Sequence, residues 1–226
     1  MKRRVLIIVA LVVVLLSPHA ATAQEFGLRI GYMASNVNIT EPSQLPVELR
    51  WCCSPWDGER LGWTGGLYGR TRIGNGVDAT VEVLITRRGY NAETSQRAPG
   101  SELKMTYLEA PILLAATTRS VRVFAGGSAG VTIAKATIAK QPSRPDVFVA
   151  RDQISDLDFS LIIGAGVQKE RWSIDGRYVH GLRNILRGMP AGAGLTHKAL
   201  AIYVGFRLGG SVPVTTQPVI DRRRRR

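Results

Sequence analysis

Apolar and polar residues alternate in eight segments of this chain, and the links between the segments alternate in length. Short links lie at Asn75-Gly76, at residues 117–119 and around residues 169–170. Between them lie long polar stretches, at residues 37–60, 89–101, 136–156 and 182–196. Alternation with a period of two is typical of strands that have one apolar face. The pattern therefore predicts an all-β fold, a meander of eight antiparallel strands.

The predicted strands can be delimited from their alternation. They cover residues 26–35, 60–73, 77–88, 102–116, 120–134, 156–168, 171–181 and 197–208. In the fourth strand, Met105 falls on the face opposite to Leu108 and Ile112, which predicts a bulge near Tyr107. Asn75-Gly76 is predicted to supply the positive φ angles of a tight hairpin.

The two faces of these strands differ in chemistry. One face is consistently apolar, and the other carries glycines, small polar groups and charges of both signs. The charged positions on that face are Arg29, Arg70, Arg72, Asp78, Glu82, Glu109, Arg122, Asp158, Asp175, Arg177 and Arg207. A soluble barrel turns its apolar face inward, whereas a membrane barrel turns it toward lipid. Outer-membrane barrels also combine short periplasmic turns with longer external loops. We therefore expect an eight-stranded antiparallel up-and-down transmembrane β-barrel. A soluble periplasmic or secreted barrel that carries a small apolar ligand remains the alternative.

The N-terminal residues predict export. A basic start at residues 2–4 precedes an apolar run at residues 5–16, and Ala21-Thr22-Ala23 offers a small-x-small cleavage pattern. Residues 1–23 are thus predicted to be a signal peptide for Sec export, and residues 24–209 the barrel. Because eight is an even number of strands, both termini should be periplasmic and the long loops external, in the bacterial outer membrane.

Charge adds less than the formal value of +13 suggests. The signal peptide carries three positive charges, and five arginines against one aspartate close the chain, which leaves +6 for the folded part. Residues 210–226 are predicted to be a disordered, basic periplasmic tail. Because the strongest basic run is terminal and the chain is exported, nucleic acid is not an expected partner.

Eight strands enclose a lumen just wide enough for side chains to fill. A set of charged residues is expected to form a structural ion-pair network that plugs this lumen, and a proton or ion path along it is the less favoured interpretation. The residues are Glu82, Glu109, Asp175, Arg177 and Arg207.

No catalytic, cofactor or metal site is predicted. After the signal peptide only His180 and His197 are available, and they fall on opposite faces of the wall. Cys52 and Cys53 are adjacent and are assigned no function. The protein is therefore not expected to be an enzyme.

The external loops are the expected working surface, because binding residues concentrate on loops held by a rigid scaffold. Trp51 and Trp56 either contact a partner or sugar or belong to an aromatic girdle at the membrane interface. Outer-membrane lipid and lipopolysaccharide are the expected partners, together with an unidentified envelope protein. Several arginines of these loops can pair with lipopolysaccharide phosphates. They are Arg97, Arg144, Arg151, Arg183 and Arg187.

Several short segments, in this order, resemble the small outer-membrane β-barrel domains labelled porin-like or PorT-like. The segment at residues 107–114, Tyr-Leu-Glu-Ala-Pro-Ile-Leu-Leu, is the most specific. The others lie at residues 28–32, 65–67, 81–84, 124–126, 163–167, 175–178 and 205–208. The resemblance covers most of the mature chain. It implies an integral outer-membrane barrel, usually without an assigned biochemical activity. Such proteins typically end at the last strand, whereas this chain continues past Gly210.

Overall fold

Eight antiparallel strands close into a barrel, as the sequence predicts. The computed structural model of the protein describes residues 25–40, 60–92, 101–139, 154–185, 187 and 194–210. The strands are β1 (Glu25–Thr40), β2 (Arg60–Gly74), β3 (Val77–Ala92), β4 (Ser101–Thr118), β5 (Val121–Ala139), β6 (Leu157–Lys169), β7 (Trp172–Gly181) and β8 (Gly194–Gly210). Each strand pairs with the next one along the chain, and β8 pairs back with β1.

None of the described residues forms a helix long and apolar enough to cross a membrane.

The barrel is strongly staggered. A path through cross-strand partners that begins at Phe26 passes once around the barrel and returns to β1 at Asn36, ten residues further on. Stagger and strand tilt are linked, and barrels of this size tilt their strands by about 35–45° from the axis. Several strands also extend further toward the loops than the alternation predicts. β1 continues to Thr40 and β5 to Ala139, beyond the ~9–11 residues that a bilayer requires.

The apolar face points outward, as expected for a membrane barrel. Outward apolar side chains on five strands are between 44% and 65% exposed: Leu28, Ile30, Leu67, Ile112, Leu161, Ile163, Leu200 and Ile202. On β6 and β7 the exposed side chains alternate regularly with buried ones. The apolar exterior of the barrel covers a far larger area than the apolar patches that soluble monomers expose.

The three short turns lie where the sequence predicts them, but one detail is wrong. Gly76 has a φ of 75°, whereas Asn75 is not in the left-handed region. The register shifts between Arg72 and Gly74, so an additional residue enters β2 before the turn. A hairpin that contains such a bulge needs one left-handed residue, not two. In the other two turns, Arg119 and Glu170 take this conformation, with φ of 49° and 51°.

The predicted bulge near Tyr107 is confirmed, but its extra residue lies on the neighbouring strand. Thr106 pairs with Ala134 and Tyr107 with Thr132, so Ile133 of β5 is left over. β4 itself keeps its alternation, and Met105 remains inside with no exposed surface. The Tyr107 hydroxyl lies 3.2 Å from the Met105 sulfur. The apolar residue that suggested a change of face is therefore an ordinary part of the lumen.

Candidate functional site

The centre of the lumen holds two arginines and two carboxylates. Arg177 donates from both terminal nitrogens to the two Glu82 oxygens, at 2.8 Å each. Arg29 also pairs with Glu82, and its Nη2 lies 2.9 Å from the Asp175 carboxylate. All four side chains are at most 1% exposed. The group is formally neutral, and the two-pronged contact of Arg177 with Glu82 has the geometry of the strongest ion pairs.

Alternation along three strands brings these groups together. Asp175 and Arg177 are two residues apart on β7 and so share the inner face, while Arg29 and Glu82 come from β1 and β3. Glycine on the neighbouring strand provides the space. A Cβ atom at Gly166 would collide with the Asp175 carboxylate. The small inward residues are therefore what allows so many charged side chains to fit in a narrow lumen.

A second group of charges lies at the end of the lumen that carries the short turns. Glu25 accepts a hydrogen bond of 2.9 Å from the Tyr68 hydroxyl and lies 3.5 Å from Arg70 and 3.7 Å from Arg207. Gln168 contacts Glu25 as well, at 3.4 Å. The Arg207 side chain is 23% exposed, since it lies at the mouth of the lumen.

Closer to the short turn between β2 and β3, Arg72 lies 3.5 Å from the Asp78 carboxylate. The Thr117 hydroxyl donates to the same carboxylate at 2.7 Å. This pair ties the end of β4 to the turn between β2 and β3.

A third group, the loop-side group, lies toward the long loops. Arg88 pairs with Glu109 and lies 3.3 Å from Asp158. Its guanidinium stands over the Tyr107 ring, 5.3 Å from the ring centre. The Tyr107 hydroxyl is 2.9 Å from the His197 Nε2. These groups lie where the strands approach the long loops.

Apolar side chains separate the loop-side group from the central one. On β3, Leu84 lies between Glu82 and Arg88, and it is 1% exposed. On β8, Ala199 and Ala201 follow His197 before the next polar inward residue. Two buried apolar clusters fill this level of the lumen: Met33, Leu84, Ala201 and Tyr203, and Leu113, Ala115, Phe124, Ile162, Val179 and Ala199. On the described strands, no charged side chain lies between the two groups.

The five residues predicted from the sequence are therefore spread over three groups. Glu82, Asp175 and Arg177 lie together at the centre, Glu109 lies in the loop-side group, and Arg207 lies at the mouth beside the short turns. Two important members were not predicted, Glu25 and Arg88. The alternation of β3 carries a signal for Arg88, because Arg88 shares its face with Glu82.

Other predicted positions are placed only in part. Trp51, Trp56, Arg97, Arg144 and Arg151 lie outside the described residues. Arg183 is exposed at the loop end of β7. Arg187 pairs with Asp156 there.

The two histidines lie on opposite sides of the wall. His180 is exposed and stacks on Tyr178 with ring centres 6.3 Å apart, whereas His197 is inside and 1% exposed. In the part of the chain that the structure describes, no three side chains of His, Cys, Asp or Glu are grouped so that they could hold a metal ion.

A concave region of about 1120 Å³ lies along the barrel wall. It is lined mainly by outward apolar side chains, among them Leu61, Leu114, Ile163 and Leu200. Four buried inward residues, Met33, Phe124, Arg177 and Ala201, line it as well.

A closed antiparallel barrel with an apolar exterior and paired charges inside has the architecture of an outer-membrane barrel. The sequence model of the family described as "Outer membrane protein beta-barrel domain" matches residues 21–187. The chain belongs to this family, and the family indicates the bacterial outer membrane as its location. The narrower porin-like and PorT-like designations stay predictions.

Three solved structures match this chain at low sequence identity. Ail of Yersinia pestis, solved with the heparin analogue sucrose octasulfate, is 16% identical, with coverage of 81% of this chain and 97% of Ail and a TM-score of 0.43. Neisserial surface protein A is 12% identical, with coverage of 80% and 96% and a TM-score of 0.49. The translocator domain of the autotransporter NalP from Neisseria meningitidis is 11% identical, with coverage of 80% and 88% and a TM-score of 0.25. A search of curated proteins gave no match.

Proposed function

We propose that this protein is a structural or interaction barrel of the outer membrane with a plugged lumen, and that it works through its external loops or its periplasmic tail. The observation that carries the proposal is the central ion-pair group. Glu82 has no exposed surface and is held by two arginines from different strands, Arg29 and Arg177. Side chains that are this well packed and paired leave no water-filled path beside them.

The energetics favour a permanent plug over a gate. Removing one partner of a buried ion pair typically costs about 3–5 kcal/mol. Opening the lumen requires that Arg29 and Arg177 both leave Glu82, and that the apolar layer around Leu84 is displaced as well. These linked costs support a role in which the wall holds a rigid scaffold and the loops make the contacts.

The distribution of polar and apolar groups disfavours the alternative, a soluble carrier of an apolar ligand. Such a carrier needs an apolar cavity inside and a polar surface outside. Here outward residues such as Ile202 and Leu200 are each 65% exposed, whereas the centre of the lumen is filled by ion pairs.

Lipopolysaccharide is the partner that the outer surface fits best. Arg87 lies on the outward face of β3 beside Trp63 of β2, and Lys198 lies on the outward face of β8 beside His180 of β7. All four lie near the loop ends of their strands. Cations next to interfacial aromatics, directly beyond an apolar belt, match lipid phosphates above acyl chains.

We further propose that residues 1–23 direct Sec export and are removed, that the long loops are external and that both termini are periplasmic. The basic tail at residues 210–226 then lies close to the inner leaflet. Near an anionic surface each arginine contributes about 1 kcal/mol of attraction, which salt screens. The tail is proposed to act as an electrostatic tether or docking point for an envelope partner.

Planar-bilayer recordings of the purified full chain test the plugged lumen. We expect no stable conductance steps above the leak of a protein-free bilayer, because the lumen is filled. A large open-pore porin reconstituted in the same bilayers serves as the positive control. Reproducible large steps from the purified protein would contradict the proposal.

Cell fractionation tests the membrane location separately. We expect the protein in the detergent-extracted envelope, with gel migration that changes on heating. Recovery in the soluble fraction would support the carrier instead.

A further inference from the structure

One buried arginine of the lumen has no carboxylate partner. Arg122 lies on β5, two residues after Ser120 of the short periplasmic turn, and it is 1% exposed. Its only hydrogen bond is a long one, 3.3 Å from Nη2 to the Thr80 hydroxyl. Its Nε and Nη1 atoms are buried and have no partner. An arginine cannot lose its proton in a protein, so this positive charge is permanent.

The other arginines that point into the lumen on the described strands are all paired. Each has a nitrogen within 4 Å of a carboxylate. The pairs are Arg29 and Arg177 with Glu82, Arg70 and Arg207 with Glu25, Arg72 with Asp78, and Arg88 with Glu109 and Asp158. Arg122 is therefore an uncompensated buried charge, which is expensive unless an anion or another acceptor neutralises it.

A second guanidinium lies beside it. Arg70 and Thr80 are direct cross-strand partners on β2 and β3, so Arg70 stands next to the bond between Thr80 and Arg122. Arg70 uses Nη1 for Glu25 and Gln168, while its Nε and Nη2 are buried without partners. Arg70 and Arg29 both repel Arg122, while Asp175 and Glu82 attract it from beyond hydrogen-bond distance. Two guanidinium groups that repel each other and retain free donors form an environment that favours an anion.

We propose that the periplasmic end of the lumen binds one small inorganic anion, held by Arg122 and Arg70. The two-pronged N–H edges of the guanidinium groups match the oxygens of a phosphate, and a chloride satisfies the same charge. The free nitrogens are closed off from solvent, so Arg122 swings from Thr80 toward the nearby periplasmic mouth as the anion enters. The site adds a ligand to the barrel and leaves the plugged lumen unchanged.

Unfolding in different anions tests the site. The full mature chain is folded in zwitterionic detergent in gluconate buffer, and phosphate or chloride replaces gluconate at constant ionic strength. The urea midpoint is followed by heat-dependent gel migration and tryptophan fluorescence. We expect the wild-type midpoint to rise and to saturate with phosphate, with chloride or with both. A ligand that binds only the folded state stabilises it in this saturable way. Which anion gives the response identifies the natural class.

The decisive variant is Arg122→Met, which keeps the length of the side chain and removes its charge. We expect this variant to be at least as stable as the wild type in gluconate and to show no response to either anion. Arg207→Met is the matched control, because Arg207 lies at the same mouth but has Glu25 as its partner. This control should keep the full response to the anion.

Two results would overturn the proposal. One is a wild-type midpoint that is insensitive to both anions. The other is an unchanged anion response in Arg122→Met. If Arg122→Met does not fold, the folded wild type is tested by ³¹P NMR instead. Broadening of the phosphate signal that excess chloride reverses supports the site. Absence of that broadening, with no chloride effect on the wild-type midpoint, counts against the site.

Discussion

The substitution Glu82→Gln examines the central ion-pair group most directly, because it removes one negative charge with almost no change in shape. Glu82 has no exposed surface and receives three guanidinium contacts, two from Arg177 and one from Arg29. After the substitution, Asp175 is the only carboxylate that remains in contact with the two arginines. It lies 2.9 Å from Arg29 and 3.5 Å from Arg177. Two buried cations then share one carboxylate.

The expected loss follows from that geometry. Breaking a buried pair by removal of one partner costs about 3–5 kcal/mol. The remaining contact with Asp175 offsets part of this loss of stability, while the second arginine that loses Glu82 as a partner adds to it. We therefore expect the free energy of unfolding to fall by an amount within this range. Since 1.4 kcal/mol is a factor of about ten, the folding equilibrium constant should fall by roughly two to four orders of magnitude.

Urea unfolding of the barrel in detergent micelles measures this change, with heat-dependent gel migration as the probe. Glu170→Gln is the matched control, because Glu170 is exposed in the short turn between β6 and β7 and its substitution should change stability little. If Glu82→Gln unfolds at the same urea concentration as the wild type and the control, the lumen is not held together by this group.

Three further predictions concern the wall and the tail. Val83→Arg places a charge on the outward apolar face, where it should cost about 2–4 kcal/mol at mid-membrane depth and reduce assembly. The control Ser120→Arg, in an exposed turn, should assemble normally. Equal yields of the two variants in the envelope would contradict the outward assignment of Val83. Gly164→Ala should destabilise the barrel by about 1–3 kcal/mol by overpacking, because the added Cβ would lie 2.6 Å from the Phe124 ring; an unchanged urea midpoint would count against it. Deletion of residues 211–226 should leave insertion and heat-dependent migration intact but weaken salt-sensitive association with the envelope, and failure to insert would make the tail part of the assembly signal.

The structure changes the choice of control variant for Val83→Arg. From alternation alone, Thr80→Arg on the opposite face is the natural comparison. Thr80 has no exposed surface, however, and accepts a hydrogen bond from Arg122. An arginine there adds bulk and charge to a lumen that is already full, so inward does not mean tolerant in a barrel this narrow.

Much of the fold could be predicted from the sequence because its signals are local. A period of two places Leu161 and Ile163 on one face and Ser160 and Ile162 on the other, and burial follows this alternation. The alternation of short and long links then predicts which strand ends lie at the same end of the barrel. The turn at Asn75 was predicted less well, because the register shift that precedes it depends on how β2 pairs with β3.

The partners within the lumen could not be predicted in the same way. Arg177 meets Glu82 across the barrel because of the stagger of ten residues around the wall, which the alternation of single strands does not reveal. Met105 falls on the inward face by alternation, and it is buried there because the lumen is partly apolar. Glu109 and Arg207 are predicted to share one network, but they lie in separate groups, because each lies near a different end of the lumen.

We predict that lipid covers one face of every strand while a filled, water-free lumen covers the other. Spin labels on single cysteines introduced one at a time along β6, from Ser160 to Ala165 in a variant without Cys52 and Cys53, test it most directly in lipid vesicles. We predict that collisions with dissolved oxygen are frequent at Leu161, Ile163 and Ala165 and rare at the alternate positions, with little access for a water-soluble nickel complex at any of them. High access for the nickel complex at the outward positions, or no alternation along the strand, would contradict the account.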